Sequence, residues 1–332
     1  MTLSTGIMLI TACGGGGGGT PSDAGDPARV DSHKFIITVK TDNAGDSSDV
    51  EFMIPSNTDT YPAGYNYNVD CDNDGENEAT GESANYICEY DSAGTYTIAI
   101  EGEFPQIYFN NEKDKDKLIS IDQWGTNIWK SMAASFRGCS NLAGQASDNP
   151  DLSAVRSMLN MFGEATAFNQ EIGDWDVSNV TNMFIMFGGA TAFNQDIGAW
   201  DVSNVTEMGG MFGEATAFNQ DIGAWDVSNV TNMHSMFLNA TAFDQNIGVW
   251  QPYAVTLLNN MFDGVTLSVA NYRLLLEGWD FKKINLQDNV TFSGGNSIVG
   301  CTGITDVECL PAFEGRQNLI NDKGWIITDG EL

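Results

Sequence analysis

The chain has 332 residues, 42% hydrophobic and 11% aromatic, with 14 basic against 45 acidic side chains and a formal charge of −31. This length accommodates two or three domains, and the composition is that of a folded protein. The acidic excess excludes the basic footprint that nucleic-acid binding needs, and it fits a solvated surface, a saline exterior or divalent cations.

The first thirteen residues end in Ile10-Thr11-Ala12-Cys13, and six glycines follow. This tetrapeptide resembles a bacterial lipobox, in which small residues precede a cysteine that is cleaved and lipidated. The resemblance implies a leader over 1–13 and lipidation at Cys13. With Gly14 rather than Asp behind the cysteine, it also implies transfer to the outer membrane of a Gram-negative envelope. Residues 14–30, rich in Gly, Pro, Ser and Asp, read as a flexible tether. No other stretch is long and apolar enough to span a bilayer, so the lipid is the only membrane contact expected.

Residues 31–111 carry short alternating runs such as Phe35-Ile36-Ile37-Thr38-Val39, Val50-Glu51-Phe52-Met53-Ile54 and Thr95-Tyr96-Thr97-Ile98. Turn residues separate them, which predicts a β-sandwich. Glu89-Tyr90-Asp91-Ser92-Ala93-Gly94-Thr95-Tyr96-Thr97-Ile98 resembles the end of PKD-type (Ig-like) domains. Val69-Asp70-Cys71-Asp72-Asn73-Asp74-Gly75 stands where that family usually carries a Trp-Asp-Phe-Gly-Asp-Gly turn. Asp70, Asp72, Asp74 and Glu76 place carboxylates at alternate positions before a glycine turn, like the first half of a Ca²⁺ loop. The twelfth position of such a loop is Gly81, so Glu82 or Glu78 would have to close it. Ca²⁺ is the one cofactor considered, against the blander reading of an acidic hairpin turn. Two disulfides are expected in an exported protein, Cys71 with Cys88 and Cys301 with Cys309. Cys139 is left over and reads as a small buried residue.

The charged run Asn111–Lys117 marks a domain boundary. A 25-residue period then governs 118–265: Met161, Met186, Met211, Met236 and Met261 share one phase, each followed by Phe, and Trp175, Trp200, Trp225 and Trp250 hold another. Such a period predicts stacked repeats that cannot fold singly. Trp124 and Phe136 form an irregular first unit. Ile222, Trp225, Val227 and Val230 fit a leucine-rich-repeat frame, with a short strand that buries Trp225 and Val227 and turns Asp226 outward. Met233, Met236 and Phe237 follow at helical spacing and predict one or two helical turns. The Trp and Met rows read as core. The polar rows Asn169/Asn194/Asn219 and Thr181/Thr206/Thr231/Thr256 read as corners that satisfy the backbone. Over 266–332, Ser268–Trp279 reads as an amphipathic helix ending at Gly278, and Gly324–Gly330 as a final strand. Together these would cap the stack.

The unit Met-Phe-x-x-Ala-Thr-Ala-Phe-Asn-Gln-Asp-Ile-Gly-x-Trp-Asp-Val-Ser-Asn-Val-Thr-Asn-Met resembles the repeat of BspA-type bacterial surface proteins, a divergent leucine-rich-repeat group. The tail, with Leu274-Leu275-Leu276-Glu277-Gly278-Trp279 and Gly324-Trp325-Ile326-Ile327-Thr328-Asp329-Gly330, resembles that family's ending. The resemblance covers 118–332. It implies a surface-exposed, lipid-anchored solenoid credited with adhesion, and it brings no catalytic residues. The fold class expected is therefore mixed β/α: a PKD/Ig-like β-sandwich, then a leucine-rich-repeat-like solenoid with a C-terminal capping helix and strand.

Catalysis has little in its favour. Only His33 and His234 exist, and His234 stands where other repeats carry Phe184 and Gly209. The glycine run at 14–19 lacks the strand–helix context of a phosphate loop. The function expected is a non-enzymatic, monomeric outer-membrane lipoprotein that binds an extracellular protein or glycan. Solvent-facing residues of the repeat strands are the candidate face: Asp176, Asn179, Asp201, Asn204, Asp226 and Asn229. The alternatives are an envelope spacer without a specific ligand and a carbohydrate-active enzyme or its accessory module.

Overall fold

The computed structural model describes residues 32–301 and 309–330. Cys13, the leader and the tether lie outside them.

Seven strands come first: β1 (Phe35–Lys40), β2 (Glu51–Ile54), β3 (Asn66–Asp70), β4 (Ala79–Glu82), β5 (Tyr86–Glu89), β6 (Thr95–Glu103) and β7 (Leu118–Gln123). Five form an antiparallel sheet in the order β4-β3-β6-β1-β7, and β2 pairs antiparallel with β5. Alternation sets the inner face, where Phe35, Ile37 and Val39 of β1 are fully buried. The Cys71–Cys88 disulfide ties the loop after β3 to β5. β7 lies beyond the charged run and is nonetheless the edge strand beside β1. The chain can pass through that run into the sheet because two of its charges are buried and satisfied. Lys117 Nζ donates to the carbonyls of Ser47 (3.1 Å), Ser48 (2.7 Å) and Glu51 (3.0 Å) and to Ser47 Oγ (2.7 Å). The Asp114 carboxylate accepts from Ser47 N (3.0 Å), Ser47 Oγ (2.6 Å) and Met53 N (2.6 Å).

The expected mixed β/α architecture requires correction. The fold is mostly β, assembled from small sheets with few helices, and the repeats do not close into the strand-plus-helix coils of a leucine-rich-repeat solenoid. No regular strand runs through Trp225–Val227, and Met233–Phe237 is a turn rather than helix. The physical cause is a left-handed residue two places after the first Met of each unit: Asn160 (φ 56°), Ile185 (φ 55°), Gly210 (φ 62°) and Ser235 (φ 55°). A positive φ ends a right-handed helix at once. What remains is a tight turn in which Met186 N donates to Met183 O (3.2 Å) and Met211 N to Met208 O (3.1 Å). Met-x-x-Met-Phe therefore has helical spacing without helical backbone.

Successive units are joined by single parallel bridges, Ser157 to Asn182 to Glu207 to Asn232 to Leu257. Main-chain bonds extend each bridge, from Asn160 N to Phe184 O (2.8 Å), Ile185 N to Gly209 O (2.9 Å), Gly210 N to His234 O (2.8 Å) and Ser235 N to Asn259 O (3.0 Å). The side-chain rows run in the same direction. Phe162, Phe187, Phe212, Phe237 and Phe262 stack with centroids 5.4–5.8 Å apart. Each indole reaches back one unit: Trp200 Nε1 donates to Ile172 O (3.1 Å), Trp225 Nε1 to Ile197 O (3.1 Å) and Trp250 Nε1 to Ile222 O (2.9 Å). The Trp and Met rows are buried as expected, and the polar rows do close the corners. Asn194 N donates to Asn169 Oδ1 (2.9 Å), and Thr206 Oγ1 to Thr181 O (3.2 Å).

After the repeats come α1 (Val269–Lys282), a 3₁₀ turn (Lys283–Asn285), β8 (Thr291–Ser293), α2 (Leu310–Lys323) and β9 (Ile326–Thr328), with β8 parallel to β9. Ser268 is the N-cap of α1 and accepts from Asn271 N. The helix does not stop at Gly278. That glycine is a close approach, since a Cβ there would lie 2.1 Å from Gly248 O on the last repeat. α2, which the sequence reading did not anticipate, begins with Pro311 in its first turn and ends at Gly324 with φ 67°. A disulfide joins Cys301 to Cys309.

Candidate functional site

Five of the six residues expected to form an outward face are hydrogen-bonded within the repeats. Asp176, Asp201 and Asp226 each accept from the amide of the serine two places on, at 3.1, 3.1 and 3.0 Å. The Ser203 hydroxyl and amide hold the Asp201 carboxyl below its ordinary value. Asn204 donates to Ser178 O and Asn229 to Ser203 O, both at 2.8 Å, while Asn179 is half-buried. These side chains shape turns and stitch units together. Their regularity has a structural cause.

The acidic turn before β4 converges differently from its expected ligand set. Asp70, Asp72 and Glu78 bring carboxylate oxygens within 4.8 Å of one another, whereas Asp74 and Glu76 stand apart. Asp74 Oδ1 accepts from Glu76 N (2.9 Å). Buried Asp70 already accepts from Asp74 N (3.1 Å) and Gly75 N (3.0 Å) and faces Lys34 Nζ at 3.3 Å. Glu78 accepts from Cys71 N (2.6 Å). Reduced hydration and the neighbouring Asp74 and Glu78 charges raise the Asp72 carboxyl above its ordinary value. The Lys34 ammonium meets the Asp70 carboxylate, and the turn is fastened by the adjoining disulfide.

A groove across the repeats is the more informative place. It encloses about 420 Å³ and is lined by Arg137, Asn160, Glu164, Phe184, Ile185, Gly188, Gly189, Gly210, Gly213, Glu214, His234, Ser235 and Leu238. These residues come from four positions of the repeat that follow its first Met. The repeats 158–182, 183–207 and 208–232 are identical at nineteen of twenty-five positions. Three of the six varying positions lie in this short turn: Leu159/Phe184/Gly209, Asn160/Ile185/Gly210 and Glu164/Gly189/Glu214. The next unit changes all of them again, to His234, Ser235 and Asn239, and puts Leu238 where the earlier three carry Gly163, Gly188 and Gly213. The framework is thus nearly constant while the groove residues change from unit to unit. Along the chain, the change from Phe184 to Gly209 to His234 is only a break in constancy. It becomes a signal only when adjacent units place the varying residues side by side.

Glycine makes the groove. The unit 208–232 carries Gly209, Gly210 and Gly213 at three of these positions, so its surface drops below its neighbours. The Phe184 ring lies over Gly209, where a Cβ would meet it at 2.8 Å. Leu238 and His234 form the opposite wall. His234 Nδ1 is 3.0 Å from Asn259 O and must donate to it, leaving Nε2 to accept from Ser235 Oγ (3.1 Å). The imidazole therefore leans on a main-chain carbonyl rather than a carboxylate. The amides of Gly210, Gly213 and Glu214 are already bonded to carbonyls. Among the described contacts, no carboxylate orients this imidazole as the acid of an acyl-transfer site would.

Ile185 marks the groove as costly to keep. A β-branched residue at φ 55° is strained by about 1–3 kcal/mol. The equivalent Asn160 and Gly210 tolerate that backbone better. Ile185→Asn is expected to raise the melting temperature by roughly 2–4 °C, read by circular dichroism of the full-length chain. A fall would mean that Ile185 packing outweighs the strain.

No curated protein and no solved structure matches the chain. A family model matches residues 106–217 and again 196–298, together more than half the chain and the whole of the groove. The chain therefore belongs to the family described as Mycoplasma protein of unknown function, DUF285.

Proposed function

We propose that this chain is a non-enzymatic, BspA-like bacterial surface lipoprotein, held to the outer membrane through Cys13, whose repeat groove binds an extracellular protein or glycan. The observation that carries the reading is the concentration of inter-repeat variation in one concave strip of an otherwise near-constant array. Variation with no framework role is what a recognition surface needs, and concave strips lined by apolar walls and a few polar groups are where ligands bind. No helix among the described residues is long and apolar enough to cross a membrane. The envelope-spacer reading keeps one observation on its side: Asp176, Asp201 and Asp226 are engaged in their own turns, and Asn204 and Asn229 in holding adjacent units together.

Gly213→Leu separates the two readings. It copies Leu238 from the next unit, and its Cβ meets nothing nearer than 3.4 Å, so the framework accommodates it while the groove is filled. Cells displaying the full-length chain are expected to show saturable retention on immobilised matrix proteins or glycans, and the variant to lose it at unchanged surface level. Retention that ignores the substitution would move binding away from the groove, and no saturable retention at all would favour the spacer.

A further inference from the structure

The groove has one feature that the framework does not explain. Two carboxylates reach it from the same repeat position, Glu164 and Glu214. Glu164 is engaged by Arg137 Nη2 at 3.1 Å and Asn111 Nδ2 at 3.2 Å. Glu214 is exposed and has no partner among the described residues, although it holds a left-handed backbone (φ 62°) that the glycine of the preceding unit would adopt without strain. A carboxylate kept at such a position, beside an apolar wall of Phe184, Ile185 and Leu238, is complementary to a cation carried on an apolar body.

We infer that the groove recognises an extended protein segment presenting a lysine or arginine next to a bulky apolar side chain, with the cation on Glu214 and the apolar group over the glycine floor. The inference rests on the binding reading above and names its ligand class. The chain's charge of −31 draws such a segment in before contact, and electrostatic complementarity then sets register. A sugar is the poorer match. It needs a fan of donors and acceptors, yet here Ser235 and His234 bond to each other and the amides of Gly210, Gly213 and Glu214 are taken by the main chain.

The test uses the full-length chain on an array of blocked hexapeptides that pair Lys or Arg with Leu or Phe in every order. The same peptides with Gln or Glu in place of the base, and a set of neutral oligosaccharides, sit beside them. Retention of the basic–apolar peptides is expected, at least ten-fold stronger than of the Gln forms and weakening as salt rises. Glu214→Gln should bring the basic peptides down to the level of the Gln forms while leaving the latter unchanged. Gly213→Leu should abolish both, and Asp221→Asn, outside the groove, should alter neither. Peptide binding indifferent to Glu214→Gln and Gly213→Leu would overturn the inference. Sugars retained in a Gly213→Leu-sensitive manner, with no peptide bound, would overturn the ligand class and leave the surface-binding function standing. Nothing retained on either set would remove the inference, and matrix proteins that also fail to bind would remove the function beneath it.

Discussion

Replacing Lys117 by methionine is expected to lower the melting temperature of the full-length chain by roughly 10 °C. The Lys117 side chain is fully buried, and its ammonium supplies the donors for three carbonyls and a hydroxyl of the loop 47–51. Its separation from the Asp114 carboxylate, 3.9 Å, is long for a direct pair, so the ammonium acts mainly as a bracket for main-chain oxygens. Methionine fills nearly the same volume but donates nothing. Ser47 O then stays dry and unpaired, at about 1–3 kcal/mol for a buried unsatisfied group, while Ser48 O keeps Glu51 N (3.0 Å) and Glu51 O keeps Ser47 Oγ (3.0 Å). Asp114 also loses the neighbouring Lys117 charge, and removing one member of a buried charge pair costs about 3–5 kcal/mol. Because Lys117 immediately precedes β7, the damage should reach the edge of the large sheet. Hydrogen exchange should rise first in Leu118–Gln123 and β1. A melting temperature within about 2 °C of the parent would mean that water enters the loop and replaces the ammonium at little cost.

The contrast between this lysine and the groove shows what the sequence made legible. Large apolar rows were readable because they need no backbone detail: Trp175, Trp200, Trp225 and Trp250 recur in phase and are all at most 4% exposed. Cysteine pairing was readable for a similar reason, since each pair was confined to one local region. Conformation inside the repeat was not readable. Met-x-x-Met-Phe has the spacing of a helix face, and only the left-handed residue between the methionines turns it into a stacked turn. That residue is Gly or Asn in some units but Ile185 in another, which disguises it. For the row Asp176/Asp201/Asp226, spacing showed a regular exposed line but not that each carboxylate accepts from the amide of its own turn. Burial within the charged run was not readable either: the run 111–117 reads as a domain boundary, and nothing in composition says that Lys117 and Asp114 are buried.

A second large effect is expected at the centre of the aromatic row. Phe212→Ala should cost about 3–5 kcal/mol, the range for removing a buried phenylalanine that its surroundings cannot replace. Phe212 touches rings on every side: Phe187 at 5.8 Å, Phe237 at 5.7 Å, Phe218 at 3.9 Å within its own unit and Trp225 at 6.3 Å. Collapse into the cavity is opposed by the hydrogen-bond ladder, which fixes the spacing of the units through Phe187 N to Met211 O and Phe212 N to Met236 O, both 2.9 Å. The void therefore persists instead of closing, and the loss should sit at the upper end for its volume. Phe212→Leu, which keeps most of the volume, should recover more than half of the loss, whereas Thr216→Ala on the exposed edge should stay within about 0.5 kcal/mol of the parent. Guanidinium denaturation followed by tryptophan emission reads the effect directly, because Trp225 lies beside the defect and Trp200 beside the neighbouring Phe187. Equal costs for Phe212→Ala and Thr216→Ala would show that the ring row is a passive filler. The units would then be held together by their main-chain ladder alone, and the constancy of phenylalanine at this position would need another cause.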